Sequence, residues 1–155
     1  MRVYLDACCL TRPFDDQSID RNRLEAEAVM SVLRHIHQGD WQMVASNALS
    51  HELAGIRDPA KKENADGFLS LASQVIEGGD DEFKRTEQLT RMGFRPIDAL
   101  HIACAEAGAC EVLLTTDDQM LRVARRNTTA LRVEVENPLD WILERRNGHN
   151  RNDAE

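Results

Sequence analysis

The chain opens on a short apolar run, Arg2-Val3-Tyr4-Leu5, closed by Asp6. A run of this length bounded by a carboxylate reads as a buried strand. Arg12-Pro13-Phe14-Asp15-Asp16 reads as a loop. Residues 20–38 place Leu24, Ala28, Val29, Val32, Leu33 and Ile36 at helical spacing, and Gly39-Asp40 stops that helix. Trp41 to Ala45 reads as a second strand, after which Ser46 or Asn47 caps a helix to about Gly55. Asp58-Pro59 is a carboxylate cap followed by Pro at the first helical position, and predicts a helix to about Ile76. Gly78-Gly79-Asp80-Asp81 interrupts the pattern, a helix covers about 81–92, and Gly93 ends it. Pro96 starts a further helix that reaches Gly108. Glu111 to Thr116 holds Val112, Leu113 and Leu114, a fully buried strand, and Asp117 to Arg126 is a short helix. Arg132 to Glu136 alternates as an edge strand, and Asn137-Pro138 opens a last helix through Trp141, Ile142 and Leu143.

Strands that alternate with helices imply a parallel sheet covered by helices, an α/β sandwich. The pattern yields four strands and about seven helices, with a helical insert between the second and third strands. The chain has 155 residues, which fits one domain over 1–146, and the polar tail Asn147–Glu155 is expected to fray. In an open parallel sheet, chemistry collects beyond the carboxyl ends of the strands. The residues directly after each strand are therefore the ones to examine.

Composition narrows the function classes. Lys plus Arg number 19 and Asp plus Glu 27, for a net charge of −8. That balance argues against tight, non-specific nucleic-acid binding, which needs basic groups that release counterions. No stretch of 18 apolar residues exists to span a membrane, and Met1 to Asp6 is too short for a signal peptide. The expectation is a cytoplasmic protein. Cys8, Cys9, Cys104 and Cys110 form no C-x-x-C pair, and adjacent Cys8 and Cys9 have poor spacing for zinc. They read as reduced, mostly buried thiols.

Four acids fall where the sheet rule looks. Asp6 follows the first strand and Asp117 follows the strand at Val112–Leu114. Glu52 lies on the helix after the second strand, and Asp98 lies in the first turn of the helix that Pro96 starts. Singly, each has a structural explanation: Asp98 suits the helix macrodipole and Asp6 suits a cap. Together, four carboxylates on one rim are costly unless a cation neutralises them. Oxygen ligands suit Mg²⁺ or Mn²⁺, which serve in-line phosphoryl chemistry.

The motifs Val3-Tyr4-Leu5-Asp6-Ala7-Cys8-Cys9-Leu10, Glu52, Pro96-Ile97-Asp98-Ala99-Leu100-His101-Ile102-Ala103 and Leu113-Leu114-Thr115-Thr116-Asp117 occur in this order. In order and spacing the chain resembles PIN domains, including the ribonuclease toxins of VapBC-type toxin–antitoxin pairs. The resemblance covers about residues 1–143. It implies a three-layer PIN sandwich with a central parallel sheet of four to five strands. It also implies acidic ligands for Mg²⁺ or Mn²⁺ at Asp6, Glu52, Asp98 and Asp117, and cleavage of RNA by metal-activated water. The products would carry a 5′-phosphate and a 3′-hydroxyl. Thr115 matches a supporting hydroxyl position, and Asp118 is the alternative to Asp117 as site acid. A cognate antitoxin and a homodimer are the partners the resemblance implies. One departure stands out: Ala7 follows the first Asp where the family often has Thr or Ser, and Cys8 beside it is only a weak donor.

The competing reading is a catalytically degenerate PIN-like module that binds RNA or protein. A receiver domain or an Asp-x-Asp phosphatase fits less well, because Asp6 is followed by Ala-Cys-Cys and residues 127–140 contain no Lys. His101, one turn after Asp98, reads as a packing or surface hydrogen-bonding residue, with a general base as the sharper alternative. His51 points to a different helix face from Glu52 and reads as structural. Arg12 is either a solvated loop residue or a phosphate contact. Trp41 and Trp141 read as core or interface anchors. Arg122, Arg125, Arg126 and Arg132 form a basic run after Asp117, either a solvated face or a local phosphate track.

Overall fold

A computed structural model describes the backbone of residues 1–152 and the side chains of residues 1–145; the tail at 147–155 lies outside the residues described at side-chain level. In chain order the elements are β1 (Arg2–Leu5), α1 (Ala7–Thr11), a 3₁₀ turn (Arg12–Phe14), α2 (Asp20–His37), β2 (Gln42–Ser46), α3 (Asn47–Ala54), α4 (Pro59–Leu69), β3 (Ala72–Ile76), α5 (Asp80–Arg91), α6 (Pro96–Ala107), β4 (Val112–Leu114), α7 (Asp118–Arg126), β5 (Glu134–Glu136) and α8 (Pro138–Asn152). Among the described residues these are five strands and eight α-helices. The strands form one sheet, parallel throughout, in the order β3-β2-β1-β4-β5.

The central strands are the apolar runs of the sequence. Val3, Tyr4 and Leu5 of β1 are buried on both faces, as are Val112, Leu113 and Leu114 of β4. Their backbone groups find partners in the ladders Val3↔Met43 and Leu5↔Leu114. Helices cover the sheet: α2 packs on α8, while α6 packs on β2, α3 and α5. Glycine is required where α2 ends, because Gly39 adopts φ +85°.

Several expectations need correction. The helix predicted to run from Pro59 to Ile76 ends at Leu69, and Ala72–Ile76 is a fifth strand pairing with β2. The supposed helical insert therefore carries an edge strand. Phe68, Leu69, Ala72 and Ile76 keep helical spacing, and only Ile76 of β3 is buried, so no alternation marks the strand. Residues 7–11, unassigned in the sequence reading, form the short helix α1. The buried face of α2 also differs in detail: Leu24 is exposed, whereas Glu25 is buried. Arg12 Nη2 (2.9 Å), Arg21 Nε (3.2 Å) and Asn137 Nδ2 satisfy the Glu25 carboxylate. Arg12 is thus a structural partner of Glu25 and Asp15, and not a free loop cation.

The strand order fixes where a site can form. The chain lays β2 and β3 on one side of β1, then crosses to lay β4 and β5 on the other. The crossover makes the carboxyl ends of β1 and β4 a topological switch point, where diverging connections leave a crevice. The α6–β4 turn that sets up this crossing is tight. A Cβ on Gly108 would lie 2.8 Å from Val44 Cγ1 and 3.4 Å from Ile76 Cγ1. Both neighbours are buried β-branched side chains with little freedom to yield. Gly108→Ala should therefore lower unfolding stability by about 1–3 kcal/mol, measured by urea denaturation. An unchanged or raised midpoint would show that the sheet face is not packed this closely.

Candidate metal centre

Asp6 is the first residue past β1 and occupies the switch point. Its backbone N–H donates to Leu114 O (3.0 Å), which extends the β1–β4 ladder by one bond. Its carboxylate is 5% exposed and well supplied with donors. Oδ1 accepts from Ala7 N (2.8 Å), which caps α1, and Oδ2 accepts from Thr115 Oγ1 (3.0 Å). The Cys8 thiol lies 3.4 Å from the same Oδ2. It takes up space beside Ala7, where the resemblance leads one to look for a hydroxyl. Thr115 is buried, and its Oγ1 also accepts from Asp117 N (3.1 Å), so one hydroxyl links two of the predicted acids.

Glu52 approaches from the other side of Asp6. Ser46 caps α3, with its Oγ accepting from Leu49 N (3.1 Å). That Oγ lies 2.6 Å from Tyr4 Oη, and Tyr4 Oη lies 2.6 Å from His101 Nδ1. His101 Nε2 then donates to Glu52 Oε2 (2.9 Å) and sits 3.6 Å from Asp6 Oδ1. A continuous polar line therefore starts at the α3 cap, crosses β1 and α6, and returns to α3. Ligand-type atoms of Asp6, Glu52 and His101 all lie within 4.8 Å of one another. His101 is fully buried beneath these acids, so it is neither a surface residue nor apolar packing. Burial opposes charge on its ring, but the Glu52 hydrogen bond and the fields of Asp6, Glu52 and Asp98 outweigh it and raise its pKa. Tyr4 stays a neutral hydroxyl, since burial drives its pKa well up.

Asp98 and Asp117 form a second cluster on the same rim. Asp98 lies in the first turn of α6, 6% exposed, and its Oδ2 accepts from Arg95 Nε (3.0 Å). Asp117 is the N-cap of α7: Oδ1 accepts from Met120 N (3.0 Å), and Oδ2 pairs with Arg95 Nη2. Burial raises the Asp98 pKa, with Asp6 and Asp117 adding to it, while Arg95 pulls the other way. The three acids are therefore close enough to repel. Asp118 is exposed and held by Arg21 Nη1 and Nη2, each at 2.8 Å; these bonds, with Arg122 and Arg125 nearby, keep its carboxyl below the usual range.

The geometry brings Asp6 and Glu52 to His101, and Asp98 and Asp117 to Arg95. The PIN domain family matches residues 3–126. This chain belongs to the PIN-domain family. No curated protein matches it. Among solved structures, VapBC2 from Rickettsia felis bound to a DNA fragment from its promoter aligns with a TM-score of 0.60 at 14% identity, covering 88% of this chain and 98% of that one. PAE2754 from Pyrobaculum aerophilum aligns with a TM-score of 0.54 at 17% identity, covering 94% of this chain and 88% of that one. At such identity these likenesses speak to the fold, and they agree with the five-stranded α/β sheet described above.

Other residues singled out in the sequence fall into place on this PIN domain. Trp41 precedes β2, at the end of the sheet opposite the acids, and meets Trp141 edge to face at 5.1 Å. Arg145 lies over both rings, which makes the pair a structural anchor. The basic run is split. Arg125 and Arg132 line a groove along β5 together with Arg145, Glu111, Glu134 and Glu136, and Arg122 and Arg126 are not part of that lining. That mixed lining is not a uniform phosphate track. His51 is exposed and takes no part in the polar line. The signal for His101 was its spacing, one turn after Asp98, and Arg95 carried no signal of its own.

Tyr4→Phe keeps the ring in place and leaves Ser46 and His101 short of a buried partner. Equilibrium denaturation should show a loss of about 1–3 kcal/mol, and no loss would mean the line is not formed. A carboxyl whose pKa is raised on folding binds protons more readily in the folded state. Metal-free stability attributable to Asp98 therefore falls as pH rises from the unfolded value near 4. The melting temperature of wild type relative to that of Asp98→Asn should accordingly fall as pH rises from about 4 to about 7. A difference that grows over this range would contradict the crowding of these acids.

Proposed function

We propose that this protein is a metal-dependent endoribonuclease, the toxin of a toxin–antitoxin pair. The observation that carries the reading is the buried Asp6 carboxylate at the β1/β4 switch point, with ligand-type atoms of Asp6, Glu52 and His101 within 4.8 Å of one another and Asp98 and Asp117 on the same rim. Concentrated carboxylates of this kind match a hard divalent ion, and membership of the PIN family supports the same chemistry. Asp6, Glu52, Asp98 and Asp117 would hold Mg²⁺ or Mn²⁺. When bound, such an ion supplies an acidified water and a charge that stabilises the phosphodiester as it is attacked.

The chain's own groups prepare that site. Thr115 fixes Oδ2 of Asp6 and the backbone of Asp117. His101, steadied through Tyr4 and Ser46, holds the half-exposed Glu52 carboxylate toward Asp6. The buried acids and the apolar sheet beneath them keep water from relaxing the charge, which strengthens each interaction at the rim. In this reading the partner is a cognate antitoxin; the likeness to VapBC2, seen on a promoter fragment, supports it at the level of fold. Self-association as a homodimer belongs to the same proposal.

Purified protein should cut single-stranded or structured RNA only with Mg²⁺ or Mn²⁺. Asp6→Asn and Asp98→Asn should each reduce cleavage by at least about 100-fold, more than the ~10–100-fold expected when Thr115→Val removes a group outside the ligand set. All three should retain the wild-type circular dichroism. If wild type with Mn²⁺ leaves a broad RNA panel intact, or if both Asn variants cut as well as wild type, the catalytic reading fails. RNA or protein binding without metal uptake would then point to the non-catalytic module.

A further inference from the structure

Arg95 sits between two of the acids that the ribonuclease reading assigns to the metal, and that reading gives it no role. It is the N-cap of α6, in extended backbone directly before Pro96, and its side chain is 45% exposed. Its guanidinium spans two helices: Nε meets Asp98 Oδ2 at 3.0 Å and Nη2 meets Asp117 Oδ2. Among the described residues it is the only Lys or Arg that pairs with any of the four predicted ligand acids. Three other cations are committed to other acids: Arg21 to Asp118 and Glu25, Arg12 to Glu25 and Asp15, and Lys61 to Asp15.

Asp117 already spends Oδ1 on the cap of α7, so its Oδ2 is the oxygen left for a ligand, and Arg95 occupies it. A carboxylate oxygen cannot serve a guanidinium and a divalent ion at full strength. The contact is half-exposed, hence weak, and a divalent ion can displace it. A displaced Arg95 stays tethered three residues from Asp98, with a planar fork suited to a phosphate. We propose that Arg95 is an internal counter-cation that competes with the divalent metal for Asp98 and Asp117 and, once displaced, binds a phosphate of the RNA strand. The phosphate half of this inference rests on the ribonuclease reading, and the competition half does not.

The test starts without RNA. Mn²⁺ binding is followed by the EPR signal of the free ion, for wild type, Arg95→Ala and Arg95→Lys, with circular dichroism as the fold control. Arg95→Ala should bind Mn²⁺ roughly 3- to 10-fold more tightly, as expected for losing one or two half-exposed ion pairs, with Arg95→Lys in between. Equal or weaker binding overturns the competition. A variant-free measurement backs this up: on wild type, phenylglyoxal modification of Arg95, read by mass spectrometry, should speed up when Mn²⁺ is added. An unchanged rate overturns the displacement. A non-cleavable 2′-O-methyl RNA oligonucleotide is then titrated at saturating Mn²⁺. Arg95→Ala should bind it roughly 3- to 10-fold more weakly, and equal binding overturns the phosphate contact. A wild type that cuts no RNA yet shows the Mn²⁺ competition overturns the ribonuclease reading alone.

Discussion

Like charges at the edge of an apolar core must be neutralised, and the upper rim of this sheet is arranged around that constraint. Asp6 and Asp98 are almost fully buried, and Asp117 is near enough to raise the Asp98 pKa. Donors meet these carboxylates: Ala7 N and Thr115 Oγ1 for Asp6, Met120 N for Asp117 Oδ1, and Arg95 for Oδ2 of both Asp98 and Asp117. His101 plays the same part for Glu52. The same protein is acidic overall, at net −8. The charge matters through its placement: acids are concentrated at the rim, and Arg95 pairs with two of them there.

The fold makes this crowding possible. Only at a switch point do two neighbouring parallel strands send their connections in opposite directions, which leaves room beyond their carboxyl ends. Here those strands are β1 and β4, and they deliver Asp6 and Thr115 side by side. Both acids that follow strands double as helix caps, Asp6 for α1 and Asp117 for α7. The structural and chemical explanations weighed for them are therefore compatible. A cap uses one carboxylate oxygen, and the other is held by a side chain that can give way or share it: Thr115 at Asp6 and Arg95 at Asp117.

The order of most elements was legible because apolar runs, caps and Pro or Gly punctuation mark them locally. The edge strand β3 was not, because three of its five residues face solvent and its apolar positions continue a helical stripe. Glu25 was hidden for a related reason: a buried carboxylate on a helix face depends on Arg12, Arg21 and Asn137, which come from distant parts of the chain. At the rim, the positions of the acids could be read one by one, because each follows a strand or starts a helix. Their partners could not. The His101–Tyr4–Ser46 line joins α6, β1 and the α3 cap, and Arg95 meets Asp117 across 22 residues of sequence. Such pairings exist only once the sheet has been assembled.

The central claim is that the β1/β4 rim is a cation site. Crystals soaked in Mn²⁺ and recorded at a wavelength where manganese scatters anomalously test it most directly. The account predicts an anomalous peak at the rim in contact with Asp6, with the Arg95 guanidinium no longer joining Asp98 to Asp117. No peak there, or a peak elsewhere with the Arg95 bridge intact, would contradict it.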